Sequence, residues 1–173
     1  GGIGPSGVAE ELLKTFPFLD IICVGEGETT AVELAQAIKK NIPLEKVKGI
    51  AFRNSKNKVK LTPPRERLKD LDIIPRPAYH LVDLKLYNNG GISIARGCPY
   101  GCVFCNLVGM WEQKVHFRSN KSIINELLHL RSLGKKVVSF VDDTFIVDKE
   151  RTKELCRLLI KNKLNIQYTC QGR

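Results

Sequence analysis

Cys98, Cys102 and Cys105 lie within eight positions of one another in a C-x3-C-x2-C arrangement. As thiolates they are ligands for soft metals. Pro99 and Gly101 keep the segment out of a helix, so the three sulfurs can converge on one object. The next cysteine is Cys156. A closed structural zinc site takes four ligands, and a ferredoxin cluster takes four cysteines at two- and three-residue spacings. Three thiolates instead leave one metal position open, where an iron-sulfur cluster with an uncoordinated iron binds substrate or cofactor directly. The competing reading is zinc held by these cysteines with His116 or a more distant group. Tyr100 and Phe104 are expected to screen the metal from water.

The elements that must position this loop occur in a regular order. Residues 91–95, 136–141 and 164–169 read as strands and 121–133 and 149–161 as helices, the first stopped by Gly134. Strand, helix, strand, helix, strand is a parallel βαβαβ series. Chemistry in such series gathers at the C-terminal strand ends, here Arg96 onward, Asp142 with Asp143, and Cys170 to Arg173. Upstream, 9–14 reads as a short helix and 20–24 as a buried strand ended by Gly25-Glu26-Gly27-Glu28. Thr29 or Thr30 is expected to cap the next helix, with Val32, Leu34, Ala35 and Ile38 as its apolar face. This reads as the tail of a parallel α/β unit. Runs 47–53 and 58–62 form a hairpin around Asn54 to Asn57, and Pro63, Pro64, Pro75 and Pro77 stiffen an extended linker up to about Leu86.

Composition sets the outer limits. A chain of 173 residues holds one domain or parts of two, and 43% hydrophobic with 27% charged residues excludes disordered and fibrous classes. No apolar run approaches the roughly 18 residues of a membrane span. Six cysteines, three of them clustered, point to a metal or cluster in a reducing compartment, so a cytoplasmic location is expected. The net charge of +10 raises nucleic-acid binding, but much of the excess lies between Lys39 and Lys69 without interleaved aromatics, and a solvated basic face is favoured. Gly25 and Gly27 are followed by Thr30 where a dinucleotide fingerprint needs a third glycine, so they read as a strand-to-helix turn rather than a nicotinamide contact. No signal-peptide order is visible, and a start on Gly1-Gly2 without methionine suits a fragment.

The run Ile92-Ser93-Ile94-Ala95-Arg96-Gly97-Cys98-Pro99-Tyr100-Gly101-Cys102-Val103-Phe104-Cys105 resembles the cluster-binding loop of the radical S-adenosylmethionine superfamily. Phe117-Arg118-Ser119 and Phe140-Val141-Asp142-Asp143-Thr144-Phe145 resemble the segments downstream of that loop in members with an N-terminal cobalamin-binding domain. Gly25-Glu26-Gly27-Glu28-Thr29-Thr30 and Leu71-Asp72-Ile73-Ile74-Pro75-Arg76-Pro77-Ala78 are similar to the same subgroup. The resemblance implies an α/β chain: the C-terminal part of a Rossmann-like cobalamin-binding-type domain over 1–62 and a Pro-rich linker over 63–90. The first three strands of a partial (β/α)6 barrel then occupy 91–173.

The implied chemistry comes from the same resemblance. Cys98, Cys102 and Cys105 would hold three irons of a 4Fe-4S cluster, while the amino and carboxylate groups of S-adenosylmethionine chelate the fourth. One-electron reduction cleaves the sulfonium and yields a 5′-deoxyadenosyl radical that takes hydrogen from a substrate, with an electron donor such as flavodoxin or ferredoxin as partner. The backbone around Phe104 would meet the adenine. Asp142 and Asp143 stand where many members carry Gly-Gly-Glu, and one of them is expected to bind the cofactor's ammonium group or else to cap the next helix. Cobalamin is implied as a further cofactor, although the Asp-x-His-x-x-Gly segment of the subgroup is absent and His80, His116 and His129 do not fit it. Methylation or carbon-skeleton rearrangement of a small or macromolecular substrate is expected. The alternatives are RNA methylthiotransfer within the superfamily and a non-enzymatic zinc-binding protein. Cys23 and Cys156 read as buried structural thiols and Cys170 as structural, while Trp111 reads as packing beside the loop. Arg173 is placed to reach the cofactor if its strand register permits.

Overall fold

The computed structural model describes residues 1–172. The chain forms two compact units, Gly1–Leu68 and Lys69 onward.

The first unit begins with α1 (Ile3–Gly7) and α2 (Ala9–Thr15), followed by β1 (Ile21–Cys23) and α3 (Glu28–Lys39). A turn of 3-10 helix at Leu44–Lys46 leads into β2 (Ile50–Arg53) and β3 (Val59–Leu61). The sequence does not signal α1, whose Pro5 is tolerated because a first turn has unbonded N–H groups anyway. The strands pair β1-β2-β3, both pairs antiparallel, with Ile22 opposite Ala51 and Phe52 opposite Lys60. Within this chain, the strand expected to belong to a parallel unit therefore pairs antiparallel. The hairpin between β2 and β3 is the expected one: Asn54 Oδ1 accepts from the backbone N–H groups of Lys56 and Lys58, and Asn57 turns at a φ of 57°. Alternation along β2 sends Ala51 to a core with Ala9, Leu13 and Ile22, and Ile50 with Phe52 to another with Ala37 and Val47.

The apolar face expected for α3 is corrected. Val32 and Ile38 are 57% and 60% exposed and Ala35 is exposed; the buried stripe runs through Thr30, Leu34 and Ala37. The N-cap is Gly27, without a side-chain cap, and neither Thr29 nor Thr30 fills that role. Thr30 is fully buried instead, its Oγ1 donating to the Glu26 carbonyl and accepting from Arg65 Nε at 2.9 Å. Arg65 also pairs with Glu33.

The second unit opens with single 3-10 turns at Leu71–Ile73, Tyr79–Leu81 and Leu84–Leu86, two of them capped by Asp70 and Asp83. The prolines fit the extended stretches between them. There follow β4 (Gly90–Ile92), β5 (Ala95–Arg96), α4 (Leu107–Trp111), β6 (His116–Phe117), α5 (Asn120–Ser132), β7 (Val137–Phe140), α6 (Lys149–Lys161) and β8 (Gln167–Thr169). The parallel sheet runs β4-β7-β8, with Ile92 opposite Phe140 and Ser139 opposite Thr169. Ser119 caps α5 by accepting from Ser122 N, and Asp148 caps α6 by accepting from Arg151 N. Ile92, Ile94, Ile123, Leu127, Leu130, Val138, Phe140, Leu155 and Leu164 fill the core between sheet and helices. The expected strand 91–95 is two strands, because the chain leaves the parallel sheet after Ile92 and β5 pairs antiparallel with β6. Among the described residues no helix is long and apolar enough to cross a membrane.

Candidate metal and cofactor site

The cysteine loop leaves the sheet immediately after β5. Gly97 has a φ of 108°, and a Cβ there would overlap the Lys114 carbonyl oxygen, so only glycine lets the chain pass. The pairs Ala95 with Phe117 and Arg96 with His116 fasten the two ends of the loop together. Inside it, Cys105 N donates to the Cys102 carbonyl at 3.0 Å, and Trp111 is buried in α4, packed as expected.

Cys98, Cys102 and Cys105 are half-buried free thiols. Among the described residues no three Cys, His, Asp or Glu side chains are gathered around one ion position. Thiolates that each hold a different iron need not meet at one point. Three soft donors on one glycine-threaded loop, with no fourth cysteine on it, fit a cluster with an open iron. The screening expected of the aromatics is not provided within the chain: Phe104 is 88% exposed, and Val103 and Tyr100 are exposed as well.

Asp142, two residues beyond β7, is 5% exposed. Its Oδ1 accepts from the backbone N–H groups of Ile94 at 2.9 Å and Ala95 at 2.6 Å and from Ser93 Oγ at 3.3 Å, while Oδ2 is buried without a hydrogen-bond partner. Burial raises its pKa above the ordinary carboxylate value, against the opposing pull of those hydrogen bonds. Asp142 thus caps no helix; it holds the β4–β5 break from one side. Arg118 holds it from the other, donating through its guanidinium to the Ser93 carbonyl at 3.0 Å and through its backbone N–H to the Ile94 carbonyl at 2.9 Å.

Arg118 is paired in turn with buried Glu126 at 2.6 Å, and Tyr79 Oη donates to the same carboxylate at 3.0 Å. Burial, then the Glu126 charge, drives the Tyr79 pKa well above the ordinary phenol value. Asp143 is exposed at the end of β7. Thr144, buried next to it, places Oγ1 3.8 Å from Cys98 Sγ.

The remaining candidates separate. Cys23 and Cys156 are half-buried rather than buried, and Cys170 is exposed. His129 lies against the Tyr79 ring at 5.9 Å between centroids. Arg173 falls outside the described residues. Sequence reasoning misses Ser93, Glu126 and Thr144. Glu126 had a signal, a lone charge among Ile123, Ile124, Leu127 and Leu130; a serine in a strand-like run and a threonine beside two aspartates had none.

Residues 92–173 match the model of the Radical SAM superfamily, and this part of the chain belongs to that superfamily. The chain is 31% identical to an uncharacterized methyltransferase, PH0819, of Pyrococcus horikoshii, covering 100% of this chain and 39% of that protein. It is 34% identical to the anaerobic magnesium-protoporphyrin IX monomethyl ester cyclase of Synechocystis, over 96% of this chain and 34% of that protein. Among solved structures, OxsB, a cobalamin-dependent S-adenosylmethionine radical enzyme with aqua-cobalamin and S-adenosylmethionine bound, superposes with a TM-score of 0.77 at 25% identity, covering 97% of this chain and 24% of that one. The methyltransferase TsrM of Kitasatospora setae shares the fold at a TM-score of 0.74 and 20% identity, over 94% and 33% of the two chains. The chain thus spans well under half the length of these relatives.

Proposed function

We propose that this chain is the cluster-carrying part of a cobalamin-associated radical S-adenosylmethionine enzyme that methylates or cyclises an unactivated substrate. One observation carries the reading: a C-x3-C-x2-C loop that follows β5, a few residues beyond the C-terminal end of β4 in the parallel β4-β7-β8 sheet. Cys98, Cys102 and Cys105 would hold a 4Fe-4S cluster that leaves one iron free for S-adenosylmethionine. When bound, cluster and cofactor supply one-electron cleavage of the sulfonium and a hydrogen-abstracting radical. Phe104 offers exposed apolar surface to the cofactor. Asp143, exposed beyond β7, is the carboxylate we assign to its ammonium group, because Asp142 is engaged by the backbone.

Residues 1–62 read as the tail of a cobalamin-binding-type domain and 63–90 as the link to a truncated barrel. The breadth of the OxsB superposition supports that division. The match to a methyltransferase and a cyclase favours those reactions over RNA methylthiotransfer. An electron donor such as flavodoxin or ferredoxin completes the system.

The test is anaerobic reconstitution with iron and sulfide, reduction, and electron paramagnetic resonance before and after S-adenosylmethionine is added. A 4Fe-4S signal that shifts with the cofactor is expected. Colourless protein carrying about one zinc per chain would overturn the reading.

A further inference from the structure

Every sulfur that binds iron is also a hydrogen-bond acceptor, and donors aimed at it favour the more negatively charged oxidation state. The Thr144 hydroxyl is held against a candidate ligand. Thr144 Oγ1 lies 3.8 Å from Cys98 Sγ, within hydrogen-bond reach for sulfur, and the threonine is 7% exposed. Neighbouring structure fixes it: Phe145 is buried in the core, and its N–H donates to the Gln171 carbonyl at 2.8 Å. The hydroxyl has a single proton, directed in the free chain to the Asp143 carbonyl at 2.8 Å. A cysteine thiol can donate its own proton to Oγ1, which is compatible with that arrangement. An iron-bound thiolate has no proton, and as an anion it is a stronger acceptor than the Asp143 carbonyl. The hydroxyl then turns its proton to the sulfur.

We infer that Thr144 is a redox-positioning residue, whose hydroxyl donates to the Cys98 sulfur and raises the reduction potential of the cluster held there. The inference rests on the cluster reading above and adds to it a residue that neither the cysteine spacing nor the family match assigns. It also divides labour after β7: Asp142 holds the loop's root, Asp143 faces outward and Thr144 faces the first ligand.

The experiment is a potentiometric dithionite titration of the anaerobically reconstituted chain, read by electron paramagnetic resonance without S-adenosylmethionine, on the parent, Thr144→Val, Thr144→Ser and Thr144→Ala. Removing the hydroxyl is expected to weaken reduction roughly tenfold, a fall of about 59 mV for a one-electron couple. Thr144→Ser restores the parent potential. Packing loss alone would move serine and alanine together, so their comparison decides the matter even if the valine variant takes up little iron. Equal midpoints in the serine and alanine variants, at equal iron content, overturn the inference and leave the cluster reading intact. If the parent itself assembles no cluster, the cluster reading falls first and the role of Thr144 with it.

Discussion

Asp142 keeps a carboxylate where water scarcely reaches, with one oxygen shared among two backbone amides and a serine and the other without a partner. Such a group is costly when charged, and its pKa is raised in the folded chain above the unfolded value of about 3.9. By linkage, the fold binds this proton more tightly than the unfolded chain does. The group's contribution to stability is therefore complete below pH about 3.9 and is lost as pH rises through the folded pKa. Asp142→Asn keeps an oxygen for the amides and cannot ionise. Its stability relative to the parent should improve steadily from pH 4 toward neutrality, in urea unfolding of the metal-free chain. A constant difference across that range would show that Asp142 does not carry a raised pKa. The sequence marked Asp142 and Asp143 as a pair at a strand end. It could not show which one turns inward, because that depends on amides on a distant strand.

At the scale of elements, the part nearest the chemistry is also the least regular. The helix over 149–161 and the stop at Gly134 were legible because capping residues and periodic apolar positions are local signals. The break after Ile92 was not legible: Ile92, Ser93, Ile94 and Ala95 suit a continuous strand, and the side chains that interrupt it come from Asp142 and Arg118. The short β6 was hidden for the same reason. Gly97 is where this geometry is most exacting. Gly97→Ala combines a left-handed φ with a Cβ overlapping a carbonyl oxygen, which should destabilise the second unit by more than the roughly 1–2 kcal/mol of the backbone conformation alone. Thermal unfolding reads this directly; a melting temperature like the parent's would mean that the loop can leave residue Lys114 freely.

For the whole molecule, two units with separate cores predict unfolding in more than one step. The chain has a single tryptophan, Trp111 in the second unit, so its fluorescence reports on that unit while circular dichroism reports on both. Leu13→Ala, in the first core, should cost about 2–5 kcal/mol there. It is expected to shift the dichroism curve toward lower urea and leave the fluorescence midpoint in place. Movement of both by the same amount would show a single cooperative unit. The parallel series of the second unit was readable from the alternation of apolar strand and helix periodicities. The antiparallel pairing of β1 was not, since a three-residue apolar strand carries no mark of its partner's direction.

The clasp between β5 and β6 gives the cysteine loop a further property. With Ala95 and Phe117 already joined, the intervening segment is a closed ring, and most of the entropy of bringing its ends together is spent when the protein folds rather than when metal arrives. On the proposed reading, cluster assembly then has to order only the arc that carries the three thiols. That arc can remain open to incoming iron and sulfide while its two anchorages stay where the sheet has put them.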